Sequence, residues 1–207
     1  MTDPTPVSWK AAWHNPLFRK KLLVGLLLMA VILASFHPFF VWAQQREGNT
    51  LHDALLSWLP ARNVSVAIFI LLWSASLLIT YWSIRRPMVF LVFLWGFILL
   101  SVCRFISISC VPLEPPMALI PLHDPLANSF YGKNFITKDL FFSGHTATQF
   151  LIAFCVPVNK YRWIVFASAA AVGILVLVQH VHYTVDVLAA PLFTFGIYRL
   201  ARYIVKV

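Results

Sequence analysis

The chain has 207 residues, of which 60% are hydrophobic and only 11% are charged. Soluble domains carry about a quarter charged residues, so this composition excludes a soluble globular protein and indicates an all-α integral membrane protein built as one helical bundle. The formal net charge of +9 would suggest nucleic-acid binding in a soluble protein; in a membrane protein it reads as the Lys and Arg excess of cytoplasmic loops, and the bilayer rather than nucleic acid is the expected partner.

Residues 1–21 are polar and aromatic, with Trp9 and Trp13. They read as a cytoplasmic segment, either an interfacial helix or an aromatic-anchored tail. Residues 22–207 read as a six-helix membrane domain, with apolar runs near 22–42, 64–82, 88–110, 142–158, 163–180 and 183–203. The first run has a basic flank and ends in Val41-Trp42-Ala43, but it is long for a signal peptide and holds His37-Pro38, so it is expected to remain as a span. Residues 44–63 form an outer loop containing a short amphipathic segment, Leu51 to Leu59, ended by Pro60. The longer outer connection, 111–141, holds Pro112, Pro115, Pro116, Pro121 and Pro125. Prolines stiffen a loop, and this one leads directly into the fourth run, so it is read as a cap over the outer mouth of the bundle. Cys103, Cys110 and Cys155 lie in apolar runs without framework spacing and read as small core hydrophobes.

An even number of crossings puts both termini on one side. Eleven basic residues lie there: Lys10, Arg19, Lys20, Lys21, Arg85, Arg86, Lys160, Arg162, Arg199, Arg202 and Lys206. Opposite them are only Arg46, Arg62, Arg104, Lys133 and Lys138. The termini are therefore expected to be cytoplasmic, and all acidic residues except Asp3 fall on the other face.

Two histidine motifs stand at starts of apolar runs on that other face: Ser143-Gly144-His145-Thr146, preceded by Asp139, and His182-Tyr183-Thr184-Val185-Asp186-Val187. Ionisable groups at membrane depth are costly and mark function. His182 and Asp186 are spaced i, i+4 and share a helical face. A carboxylate so placed fixes the tautomer of the imidazole and leaves its other nitrogen for nucleophilic or basic work. His145 supplies a second acid/base group. Ser143 is a helix-capping residue, Gly144 permits close approach to a ligand, and the N–H groups of that helix start suit a phosphate.

Several neighbours are weaker candidates. Arg104 either binds phosphate or reaches toward lipid headgroups. Glu114 either pairs with a catalytic histidine or is solvated, Asp139 holds the loop, and His180 stands beside the second motif. Asp124-Pro125 reads as a turn. Lys133 and Lys138 read as solvated, Tyr183 as interfacial packing, and His14, His37, His52 and His123 carry no assigned role. Metal ligation is the weaker reading, because His180 and His182 do not share a helical face and neither an HExxH nor a paired-cysteine signature is present. No metal or cofactor is expected.

Asp139-Leu-Phe-Phe-Ser143-Gly144-His145-Thr146 resembles the first histidine signature of the sphingomyelin synthases, C-G-D-x-x-x-S-G-H-T, with Thr137 and Lys138 in place of its cysteine and glycine. His182-Tyr183-Thr184-Val185-Asp186-Val187 resembles their second, H-Y-T-x-D-V. Those enzymes are part of the lipid phosphate phosphatase (PAP2) superfamily. The looser likeness, which includes Leu59-Pro60, Arg85-Arg86 and Arg104, extends over most of residues 50–200. The resemblance implies a metal-free phosphohistidine mechanism in which His182 is the nucleophile, Asp186 orients it, and His145 is the acid and base. It implies a phospholipid donor and a lipid alcohol acceptor, ceramide or diacylglycerol.

Ordinary phosphatases of that superfamily carry K-x6-R-P and S-R-x5-H-x3-D. Here Arg86-Pro87 is present, but Ile79 stands where the lysine belongs and Val176 where the arginine belongs. A phosphomonoester dianion would want those cations, so a phosphodiester headgroup is favoured. The expected protein is a headgroup phosphotransferase on the non-cytoplasmic face, with a lipid phosphatase or a phospholipase C-like hydrolase as the near alternative. A proton-coupled transporter is more distant, because the ionisable groups sit at one edge and not at the midplane; an inactive membrane scaffold is the remaining class. The short loops lean toward a bacterial inner membrane with a periplasmic site, ahead of a eukaryotic secretory membrane.

Overall fold

A computed structural model of the chain describes residues 8–122 and 136–206. Secondary structure among these residues is helical: α1 (Trp9–His14), α2 (Pro16–Gln45), α3 (Ala54–Trp58), α4 (Ser65–Arg85), α5 (Pro87–Cys110), α6 (Gly144–Cys155), α7 (Asn159–Val178) and α8 (Thr184–Val205). Asn15 starts α2, its Oδ1 accepting from the N–H groups of Leu17 and Phe18 at 2.9 and 3.3 Å, with Pro16 behind it in the first turn. Pro87 does the same for α5 and thereby ends α4 at Arg85.

Five helices (α2, α4, α5, α7 and α8) are long and apolar enough to cross a membrane, which makes this an all-helical multi-pass membrane protein. The run expected to span at 142–158 differs. It is helical only over the twelve residues of α6, about 18 Å at 1.5 Å per residue. Pro157 forces Val156 into an extended conformation (φ −63°, ψ 122°), so the helix stops at Cys155. A helix this short is shielded from lipid tails by its neighbours. α6 packs against α4, α5, α7 and α8, and Ala147, Leu151, Ile152, Ala153 and Cys155 are buried with Leu100, Phe142, Val165, Ala190 and Ile197. Gly96 of α5 allows the closest approach: a Cβ there would lie 2.8 Å from Leu151 Cδ1.

Contacts at the two ends of the bundle sort the loops. The Trp9 indole donates to Ile84 O at 2.8 Å, the Trp95 indole donates to Lys21 O at 3.1 Å, and the Lys21 ammonium meets Lys206 O. Both ends of the described chain therefore sit at one end of the bundle, and of the two readings of the N-terminal segment, helix or tail, residues 9–14 form a helix, α1. At the opposite end, α3 occupies the expected 51–59 segment, and a bridge joins Asn49 to Leu113. The described part of the 111–141 connection packs there: Ile120 N–H donates to Gln179 O at 3.1 Å, and Gln44 holds Thr137 by N–H and hydroxyl at 3.0 and 2.9 Å. His123, Asp124, Pro125 and Lys133 lie outside the described residues. Of the cysteines, Cys155 is buried as expected, whereas Cys110 is exposed at the end of α5.

Gln179, wholly buried after α7, ties this end together. Its Oε1 accepts from Val64 N–H at 3.1 Å, and its Nε2 donates to Ser65 Oγ at 2.8 Å and to the carbonyls of Ile120 and Pro121 at 3.3 Å. Gln179→Leu would leave several buried polar groups unsatisfied and should lower stability by roughly 2–4 kcal/mol. Thermal unfolding in detergent measures this, and Ser65→Ala, which removes one of those bonds, should show a smaller loss.

Candidate active site

The second histidine motif turns the chain from α7 into α8. His180 adopts a left-handed conformation (φ 57°), and its Nε2 lies 2.8 Å from Leu59 O; it anchors the turn to the outer loop. Tyr183 caps α8, and Asp186 occupies the third helical position. Asp186 is fully buried. Its Oδ2 accepts from Tyr183 N–H at 2.9 Å and stands 3.4 Å from His182 Nδ1. The imidazole contact is longer than a tight charge-assisted bond. Among the described residues, Asp186 Oδ1 has no hydrogen-bond partner.

The first motif is stitched to the second through the backbone: Ser143 N–H donates to Asp186 O at 3.1 Å. Ser143 Oγ accepts from Thr146 N–H at 3.4 Å and donates to Thr146 Oγ1 at 3.0 Å, so it caps α6 as expected. His145, the second residue of α6, is half-buried, whereas His182 is buried. Two histidine-bearing segments thus meet at one end of the bundle, joined by the Ser143–Asp186 backbone bond.

Arg104 reaches this junction from α5. Its Nε donates to Phe142 O at 3.1 Å, and its guanidinium pairs with Asp139. The guanidinium lies flat against Gly144: a Cβ at 144 would stand 2.5 Å from Nη1 and 2.6 Å from Cζ. The missing side chain of Gly144 therefore makes room for Arg104, where the sequence suggested room for a ligand. One cation and one helix N-terminus share the same place, an arrangement that favours anions.

Glu114 is not placed on a histidine. It pairs with Lys138 at 2.6 Å and accepts from Gly48 N–H at 2.9 Å. The Lys138 ammonium also meets Arg46 O, so Lys138 is held and not simply solvated. Lys138 pulls the Glu114 carboxyl below its ordinary range, against a smaller opposing effect of burial, with Gly48 N–H assisting. Tyr183 is not interfacial packing: it is buried, its hydroxyl donating to Glu114 O at 3.0 Å and accepting from Leu51 N–H at 3.3 Å. Burial pushes its phenol upward.

The sequence did not single out Asp53. Its Oδ1 caps α3 through the N–H groups of Leu55 and Leu56 at 3.1 and 3.3 Å and accepts from Thr184 Oγ1 at 2.9 Å, while its Oδ2 accepts from Thr184 N–H at 2.6 Å. Burial raises the carboxyl, but the bonds from Thr184, Leu56 and Leu55 outweigh it and the net shift is downward. The capping role was visible as an aspartate ahead of Leu55-Leu56; the partner in α8 was not. Among the described residues, no group of three or more His, Cys, Asp or Glu side chains is placed to hold a metal ion.

Residues 138–203 match the family model for the PAP2 superfamily C-terminal domain. The match spans both histidine motifs, α6, α7 and nearly all of α8. It supports the PAP2, or lipid phosphate phosphatase, superfamily as the class of this membrane protein, and a lipid enzyme of the phosphatase or phosphotransferase type. No curated protein and no solved structure gave a match.

Two outcomes follow from this geometry. Gly144→Ala should cost about 1–3 kcal/mol by forcing the Arg104 guanidinium away, whereas Gly196→Ala in α8, where nothing lies within 4 Å, should be neutral or slightly stabilising; thermal unfolding in detergent compares them. Asp53 and Glu114 are lowered in the folded protein, so the native state binds fewer protons than the unfolded chain. Their stabilisation is complete above the ordinary carboxylate range near pH ~4 and is lost as the pH falls through the folded values. Unfolding temperature should therefore be level above about pH 5 and drop below about pH 4, with Asp53→Asn removing part of that drop.

Proposed function

We propose that this protein is a lipid headgroup phosphotransferase working through a phosphohistidine, related in activity to the sphingomyelin and ceramide phosphoethanolamine synthases that its motifs resemble. The observation that carries this reading is the convergence of His182 Nδ1 and Tyr183 N–H on one oxygen of buried Asp186. Asp186 holds the proton at Nδ1 and leaves Nε2 as the nucleophilic nitrogen.

In the first half-reaction His182 Nε2 attacks phosphorus of the donor phospholipid. An N–P bond forms, the P–O bond to diacylglycerol breaks, and His145 gives its proton to the departing oxygen. Asp186 stabilises the positive charge on His182. In the second half-reaction neutral His145 takes the proton of the acceptor alcohol, ceramide or diacylglycerol, whose oxygen attacks phosphorus and releases His182. Arg104 and the N-terminus of α6 bind the non-bridging phosphate oxygens, with Ser143 and Gly144 shaping that helix start. Asp139 orients Arg104.

The charge balance at this end of the bundle supports a diester substrate. Arg104 and Lys138 are each already paired with a carboxylate, Asp139 and Glu114. A phosphomonoester dianion would meet little surplus positive charge, whereas a phosphodiester carries a single negative charge. Hydrolysis with water as acceptor is the second reading, favoured by the match to a superfamily that includes phosphatases. The surplus of basic residues at the end holding both termini supports cytoplasmic termini and a site on the non-cytoplasmic face; the short loops favour a bacterial inner membrane, with the site toward the periplasm, over a eukaryotic secretory membrane.

Purified protein given labelled phospholipid with and without ceramide tests the proposal. Label appearing on ceramide establishes transfer; free phosphorylated headgroup without ceramide establishes hydrolysis. His182→Ala should abolish covalent capture of phosphate, and His145→Ala should slow turnover on the order of 10³-fold. Full turnover by either variant would exclude the mechanism.

A further inference from the structure

The 51–59 segment of the outer loop holds the His180–Thr184 turn at three points: Leu59 O on His180, Leu51 N–H on the Tyr183 hydroxyl, and the Asp53 carboxylate on Thr184. These contacts flank His182 on both sides in sequence. Asp53 is the strongest of them. Its carboxylate receives four hydrogen bonds from two helix starts, at the beginning of α3 and the first residue of α8. Such a carboxylate is stabilising at a helix N-terminus, and it is held from a loop far away in sequence. Asp186, which orients His182, lies two residues beyond Thr184 in the same helical turn.

We infer that Asp53 is a positioning residue for the His182–Asp186 pair, fixing the first turn of α8 through Thr184 so that the imidazole and its carboxylate keep their register. This rests on the reading of His182 as a nucleophile. Asp53 does not touch the reacting atoms; it acts through Thr184. Asp53→Asn replaces one acceptor oxygen by a donor NH2, so one of the two Thr184 bonds is lost and the α8 start can shift against the α6 start, to which it is joined by the Ser143–Asp186 bond. A misplacement of that kind is felt in the chemical step more than in lipid binding.

The test compares Asp53→Asn, Thr184→Val and Thr184→Ser in the full-length protein, below their unfolding temperatures. Asp53→Asn should lower kcat on the order of tenfold to a hundredfold while KM changes by less than about twofold. Thr184→Val, which removes only the hydroxyl bond, should lose about threefold to tenfold, and Thr184→Ser should restore the wild-type rate. Wild-type kcat in Asp53→Asn, even with a lowered unfolding temperature, would overturn the inference and leave Asp53 a structural anchor. Hydrogen exchange at residues 183–186 reads the clasp whether or not the wild type transfers lipid headgroups. Faster exchange in Asp53→Asn and Thr184→Val supports it, and unchanged exchange refutes it. A wild-type protein that shows no phosphohistidine would count against the proposed function alone. Should Asp53→Asn fail to fold, the Thr184 pair decides by the same two measurements.

Discussion

A carboxylate buried without solvent at the edge of a membrane bundle is the constraint around which this protein is organised. Removing an ionised group from water costs several kcal/mol unless partners compensate. Asp186 finds them within its own helical turn: Tyr183 N–H and the His182 imidazole share Oδ2. Its backbone carbonyl takes the N–H of Ser143, so the residue that orients one histidine also docks the helix that carries the other. The capping of α8, the junction of α6 with α8, and the contact with the His182 imidazole all run through this one residue.

Around that centre, the end of the bundle opposite Lys21 and Lys206 is built from opposite charges held close. Arg104 meets Asp139, Lys138 meets Glu114, and Asp53 meets the positive end of α8. Each pairing links segments distant in the chain and lies partly out of water, where attraction is stronger than at an open surface. In each case the charge is met locally, within hydrogen-bond distance.

Much of this could be read before any coordinates. Helices α2, α4, α5, α7 and α8 follow from hydropathy and Ser143 marks a helix start by simple capping chemistry, although α2 begins at Pro16, ahead of the apolar run near 22. The pairing of His182 with Asp186 follows from their spacing on a helix. The short length of α6 was also written in the chain, since Pro157 restricts Val156, but the apolar run around it obscured the break. What escaped notice depends on contacts between distant segments. Asp53 looks like an ordinary helix cap until α8 is brought beside it. Glu114 and Lys138 look solvated until the loops close on each other. Gln179 sits at the end of an apolar run, and only the fold reveals the Val64, Ser65 and Ile120 groups that it satisfies.

The contact between Gly144 and Arg104 also bears on how such a chain can diverge. The two positions lie on different helices, and the volume absent at one is occupied by the guanidinium of the other. Neither can drift alone: a larger residue at 144 demands a slimmer one at 104, and a shorter residue at 104 opens a void under 144. Substitutions at these sites should travel as a pair through descendants of this sequence, so that an alignment of relatives would carry the imprint of this packing.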